Sequence, residues 1–184
     1  MRIGIDIDGV LRDFGKSFMG VMRKYYPETM LQDKITDWQL EKHFTLSKAE
    51  LQEIYWVKYH DEIFLDADPI PNAIEQMREL FNWADHNRHK LICVSSQRPS
   101  GRHNSLQWLG KQGLGFEEVH FIEGRYKWQK DIDYLVDDSP QNWHAWRKGR
   151  GDDHEFILVD AAYNKHLPAE NRIFKLTEIW EILG

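Results

Sequence analysis

The chain is poor in cysteine and proline, short of basic charge, and has no long apolar run. A single cysteine, Cys93, among 184 residues excludes an internal disulfide and a four-cysteine zinc cage, and it points to a reducing, cytoplasmic setting. No stretch approaches the about 18 consecutive apolar residues of a membrane-spanning helix. The opening MRIGIDIDGV places two aspartates inside its apolar run and shows no cleavage site, so neither a membrane span nor secretion is expected. Thirty Asp and Glu against 24 Lys and Arg leave a formal charge of −6, which argues against a protein that holds nucleic acid through general basicity. An anionic ligand would need a local site. No internal repeat, low-complexity tract or Pro/Gly-rich linker marks a second independent domain.

What the chain does have is enough apolar material, 41% of its residues, to fill the core of one domain or of one domain with an insertion. Eight Trp, seven Tyr and nine Phe suit ring-lined pockets as well as ordinary core filling. Five short apolar runs read as buried strands: Arg2–Asp8, Lys90–Ser95, Val119–Ile122, Tyr134–Asp137 and Phe156–Val159. Helical patterns lie between them. Ala73, Ile74, Met77, Leu80, Phe81 and Ala84 recur at three- and four-residue steps, with Asn72 placed as N-cap after Pro71, and Leu106, Leu109 and a closing Gly110 suggest another helix. Alternating strands and helices imply a parallel α/β sheet, which binds ligands at the carboxyl ends of its strands. Residues 14–65 break the alternation; about 50 residues are too many for one crossover and read as an inserted helical cap on a core of 1–13 and 66–184.

Chemistry is expected at the strand ends. Asp6 and Asp8 share a side at the end of the first strand, before Gly9 lets the chain turn, and Asp137 and Asp138 close the fourth. Four gathered carboxylates need positive charge, and a hard cation with oxygen ligands, Mg²⁺, is the simplest source. One carboxylate could then attack phosphorus while a neighbour handles protons, as hydrolysis of a phosphomonoester through an aspartyl-phosphate requires. Ser95 and Ser96 offer hydroxyl and backbone donors for a phosphate, and Lys127 offers compensating charge. A lone Asp-x-Asp says little; acids on two strand ends with a serine on a third say more.

Other motifs carry less. His86 and His89 are given no role, because no cysteine accompanies them and a helix end explains them. Gly110, Gly113 and Gly115 follow a helix, not a strand, and so read as a cap and turn. RKGRG, with Arg147, Lys148 and Arg150, reads as a solvated loop that keeps a polynucleotide substrate in view. Ser95 lacks the Gly-x-Ser-x-Gly setting of a serine hydrolase.

Taken together, DIDGVLRDF (Asp6–Phe14), LICVSS (Leu91–Ser96), Lys127 and LVDDSP (Leu135–Pro140) resemble the motifs of the haloacid dehalogenase superfamily, over nearly the whole chain. IFLDADPIPNA (Ile63–Ala73) and AAYNKHL (Ala161–Leu167) are similar to its 5′(3′)-deoxyribonucleotidase branch. The resemblance implies a Rossmann-like, doubly wound parallel sheet with a small helical cap after the first strand. It implies a Mg²⁺-dependent phosphatase of nucleoside monophosphates, and a homodimer. By the same resemblance Asp6 is the nucleophile. Asp8 is general acid and then base and lends its backbone carbonyl to the metal, Asp137 and Asp138 share metal duty, Ser95 and Lys127 clamp phosphate, and Phe14 touches substrate. Trp38, Phe44 and Trp56 are candidates for a base-stacking pocket, with core packing an equal alternative. Two departures stand out: Ser105 occupies the place of a phosphate-contacting lysine, and Gln97 that of a usual proline. Arg98 or Arg102 would then be a substitute clamp. Competing expectations are a nucleic-acid 3′-end phosphatase, a phosphatase of another small metabolite, and a catalytically silent binding protein.

Overall fold

Isoleucine and valine lose little by being extended and pack well on a pleated surface, so the short runs rich in them form the strands. In the computed structural model, which describes residues 1–151 and 155–184, β1 (Arg2–Ile5), β2 (Lys90–Ser95), β3 (Glu118–Phe121), β4 (Tyr134–Asp137), β5 (Phe156–Val159) and β6 (Asn171–Ile173) make one sheet. Its order is β3-β2-β1-β4-β5-β6 and every neighbouring pair is parallel. This is the doubly wound α/β architecture read from the sequence, with one strand more than the five expected. The extra strand, β6, is short and only Ile173 in it is buried, so its own sequence hardly marks it. The first strand ends at Ile5, ahead of Asp8, because the chain begins to curl at Ile7, whose carbonyl accepts from the amides of Leu11 and Arg12 at 2.8 Å each.

The helices are α1 (Phe14–Tyr25), α2 (Lys48–Glu53), α3 (Ala73–His86), α4 (Arg102–Lys111), α5 (Pro140–Arg150) and α6 (Ile179–Leu183). Alternate residues of each strand face opposite layers. Ile3, Ile5, Cys93 and Val136 pack with Met77 and Leu80 of α3 and Trp108 of α4. Ile92, Val94, Leu135 and Leu158 pack with Trp143 and Trp146 of α5. Among the described residues, no helix is long and apolar enough to cross a membrane.

Three local expectations change. Asn72 precedes α3 but does not cap it with its side chain; it sits at φ 64°, making the turn out of Pro71. In α4 it is Trp108 and Leu109 that are buried while Leu106 is exposed, and the helix runs through Gly110 to Lys111, with Gly113 taking the left-handed turn at φ 68°. RKGRG is the last turn of α5, not a loop. Arg150 donates to the carbonyls of Trp128, Lys130 and Ile132 at 2.9–3.0 Å and pairs with Glu155 at 3.1 Å. A guanidinium so engaged holds the fold and is not free for a phosphate chain.

Residues 14–65 gather around their own apolar cluster, which includes Phe18, Met22, Phe44, Leu51, Ile63 and Phe64. Asp13 caps α1 by accepting from Lys16 N at 2.9 Å, and Ser47 and Glu50 form a capping box on α2. Two π-helical turns, Ile54–Lys58 and Asp61–Leu65, follow. The chain leaves the sheet and returns to it along a two-stranded ribbon. Asp13 N donates to Asp68 O at 3.0 Å, Ile70 N to Leu11 O at 2.8 Å, and Arg12 pairs antiparallel with Pro69.

Candidate active site

Strand order reverses between β1 and β4, and a crevice opens there beyond their carboxyl ends. Asp6 follows β1 directly, its amide still bonded to Val136 O of β4 at 3.0 Å. One of its carboxylate oxygens accepts from Ile7 N at 2.8 Å, and the other lies 2.8 Å from Lys127 Nζ. Gly9 makes the turn that follows at φ 78°, where a side chain would be strained and a Cβ would run into the Asp138 carboxylate. Asp137 ends β4. Its oxygens accept from Ser139 N at 2.9 Å, Asn142 Nδ2 at 2.8 Å and Lys127 Nζ at 2.7 Å. Ser139 in turn caps α5, with Pro140 at the first helical position. Asp138 accepts a hydrogen bond from the Tyr163 hydroxyl.

One carboxylate oxygen each of Asp6, Asp137 and Asp138 can be chosen so that all lie within 4.8 Å of one another, and all three residues are buried. Asp8 does not join them. Its carboxylate turns to Arg12, Nε to Oδ1 at 2.7 Å and Nη2 to Oδ2 at 3.0 Å, and to Gln97 Nε2 at 2.7 Å. The expected cluster of four acids is therefore three, because Asp8 has a buried guanidinium of its own.

The cost of this crowding shows in the protonation. Burial pushes the Asp6 carboxyl up to about 7; Lys127 pulls it down, while Asp137 and Asp8 add to the rise. The close ammonium does not prevail because the burial it would have to offset is the larger effect. Burial also raises Asp138 well above the carboxylate range, with Asp137 and Asp6 adding to it. For Lys127 burial alone would favour the neutral amine, but Asp137 and Asp6 outweigh it and raise its pKa. Burial and Asp138 likewise raise Tyr163, so its hydroxyl stays a donor. Three buried carboxylates around one ammonium leave uncompensated negative charge in an all-oxygen donor set, which fits a hard divalent cation.

A cavity of about 480 Å³ opens onto these groups. Asp6, Asp8, Phe14, Ser95, Ser96 and Asp138 line it, as do Trp38 and Trp56. Lys127 and Asp137 stand behind its wall. Arg98 lies outside it, over the Trp56 ring at 5.2 Å with Gln52 Oε1 at 3.3 Å, and Arg102 lies over Phe121 at 5.6 Å. Phe44 packs in the interior of the helical segment against Phe18, so it is a core ring and not a wall of the cavity. Four contributors went unassigned in the sequence: Arg12, Asn142, Tyr163 and the amide of Gln97. Arg12 and Tyr163 lie inside motifs already singled out, DIDGVLRDF and AAYNKHL, yet nothing in their spacing shows which acid each meets.

A model of the family described as "5' nucleotidase, deoxy (Pyrimidine), cytosolic type C protein" matches residues 1–183. Among curated relatives, the mitochondrial 5′(3′)-deoxyribonucleotidase of Mus musculus is 25% identical over 197 aligned positions, covering 100% of this chain and 84% of the relative. The cytosolic-type 5′(3′)-deoxyribonucleotidase of Homo sapiens is 28% identical, with 100% and 93% covered. Among solved structures, a HAD-superfamily hydrolase of subfamily IA from Geobacter sulfurreducens superposes with a TM-score of 0.58 at 15% identity, covering 98% of each chain. The L-2-haloacid dehalogenase of Xanthobacter autotrophicus gives 0.56 at 10% identity, with 99% and 97% covered. At these identities the two structures bear on the fold alone.

Proposed function

The chain belongs to the 5′ nucleotidase, deoxy (pyrimidine), cytosolic type C protein family, and from that membership we propose a Mg²⁺-dependent phosphomonoesterase that hydrolyses deoxyribonucleoside monophosphates through Asp6. It is a hydrolase of phosphoric monoesters. The observation that carries the finer reading is the placement of Asp6. It is the acid that both faces the cavity and touches Lys127, whose ammonium is held in turn by Asp137.

In this reading the Asp6 carboxylate attacks phosphorus, and the P–O bond to the nucleoside breaks as Asp8 gives its proton to the departing oxygen. Asp8 then takes a proton from water, which attacks the aspartyl-phosphate, releasing inorganic phosphate and restoring Asp6. Lys127 stays at Asp6 and offsets charge there as it passes to the phosphoryl oxygens. Asp6, Asp138 and the backbone carbonyl of Asp8 would hold Mg²⁺, with Asp137 anchoring Lys127 from behind. A cation there supplies charge neutralisation and polarises the phosphoryl group. The Ser95 hydroxyl and the Ser96 backbone amide are the phosphate donors, the Ser96 hydroxyl itself donating to the Ile122 carbonyl at 3.0 Å. Phe14, Trp38 and Trp56 give the flat apolar walls on which a nucleobase can stack, and the cavity's size suits a mononucleotide. Residues 14–65 serve as the cap that closes this space. A phosphate-release screen over nucleotides and sugar phosphates, with and without Mg²⁺, tests the substrate class. Asp6→Asn should abolish turnover with an unchanged circular-dichroism spectrum; activity surviving in that variant excludes Asp6 as nucleophile.

A further inference from the structure

Arg12 is a complete guanidinium buried beside the cavity with no exposed surface. Its Nη1 donates to the carbonyl of Phe64 at 2.8 Å, its Nη2 reaches Ser105 Oγ at 3.2 Å as well as Asp8, and its Cζ lies over the rings of Phe64 and Trp108, 5.0 and 5.4 Å from their centroids. Every contact fixes the orientation of the fork, and the fork fixes Asp8. Gln97 completes the grip. Its Nε2 donates to Asp8 Oδ2 at 2.7 Å, while its own Oε1 is buried without a hydrogen-bond partner. An unpaired buried carbonyl costs stability, so an amide that served only packing would be poorly chosen here; among the described residues the Asp8 bond is the one hydrogen bond this side chain makes. Gln97 and Ser105, the two positions where the chain departs from the pattern it resembles, both belong to this network.

The two carboxylate oxygens are thereby made unequal. Among the described residues, Oδ2 accepts from Arg12 and Gln97, whereas Oδ1 accepts from Arg12 Nε alone. The Asp8 side chain is 24% exposed and lines the cavity, while Arg12 behind it is not exposed at all. We propose that Arg12 and Gln97 are positioning residues that aim Asp8, leaving Oδ1 as the oxygen that hands its proton to the departing nucleoside oxygen. This rests on the reading of Asp8 as general acid given above.

The test compares kcat/KM for a deoxyribonucleoside monophosphate, whose alkoxide needs a proton to leave, with p-nitrophenyl phosphate, whose nitrophenolate does not. Gln97→Leu keeps the volume and removes the amide; Arg12→Lys keeps the charge and loses the fork. The kcat/KM for the nucleotide is expected to fall about 10-fold for Gln97→Leu and about 100-fold for Arg12→Lys, with kcat/KM for p-nitrophenyl phosphate, which reports the steps up to loss of the leaving group, nearly unchanged in both. Asp8→Asn is the control and should show the same selectivity more strongly. If Asp8→Asn is selective but the other variants slow both substrates equally, or neither, the positioning role is overturned and the acid stands. If Asp8→Asn itself slows both equally, the acid assignment falls and this proposal with it. Thermal melts establish that each variant is folded, and Gln97→Leu alone decides the matter should Arg12→Lys not fold.

Discussion

Lys127 is the residue on which the site's electrostatics turn. Its ammonium is almost wholly buried, 2.8 Å from Asp6 and 2.7 Å from Asp137. Breaking such a cluster by removing the cation leaves uncompensated charge, which costs about 3–5 kcal/mol. Lys127→Met should therefore lower the unfolding free energy read from urea titrations at pH 8 by an amount of that order, and stability close to that of the wild type would mean the three groups are not ionised together. The sequence supplied this lysine as a phosphate clamp on the strength of its position before Asp137. Which carboxylates it meets depends on how the 3₁₀ turn Gly124–Gln129 lies against α5, and that packing leaves no local trace. The same holds for Arg12 and Asp8: partners four apart in sequence look like a surface pair until the ring of Phe64 is seen to cover the arginine.

At the scale of elements, what matters is how the strands deliver their last residues. Strands β1 and β4 are adjacent in the sheet and central to it, so Asp6 and Asp137–Asp138 emerge side by side. This much was legible, because β-branched runs ending in acid mark both the element and its terminus. Less legible were elements defined by pairing. Asn171–Ile173 is a strand because β5 offers it an edge, and α5 runs on through RKGRG because Arg150 finds carbonyls to bind. The turn between β1 and α1 depends on Gly9. Gly9→Ala would put a Cβ into the Asp138 carboxylate and force a left-handed backbone that costs about 1–2 kcal/mol. The expected result is a lowered melting temperature together with loss of phosphatase activity; a variant as stable and active as the parent would show that the turn can be rebuilt without harm.

For the molecule as a whole, the raised Asp6 carboxyl makes stability depend on pH in an unusual direction. The folded chain holds this proton up to about 7, the unfolded chain only to about 3.8, so between those values the folded state binds more protons. The contribution of Asp6 to the stability of the metal-free protein therefore falls as pH rises through that window, and Asp138, raised in the same direction, adds to the fall. In the proposed site Mg²⁺ would compete with the same protons, and it should then raise the melting temperature at pH 8 and do little at pH 5. At 100 times its dissociation constant the gain is about 2.7 kcal/mol, and a melting curve at pH 8 indifferent to Mg²⁺ would remove the cation from the account. The ribbon of residues 11–13 and 68–70 bears on the molecule at this scale too. The polypeptide departs and comes back at neighbouring points, and the intervening stretch is moored a second time on α4, where Asn104 Nδ2 donates to the Asp61 carboxylate at 2.6 Å. Exchange of that stretch for another would change the lining of the cavity and would also unseat Arg12, and through it Asp8, while Asp6 and Asp137 stay where β1 and β4 deliver them.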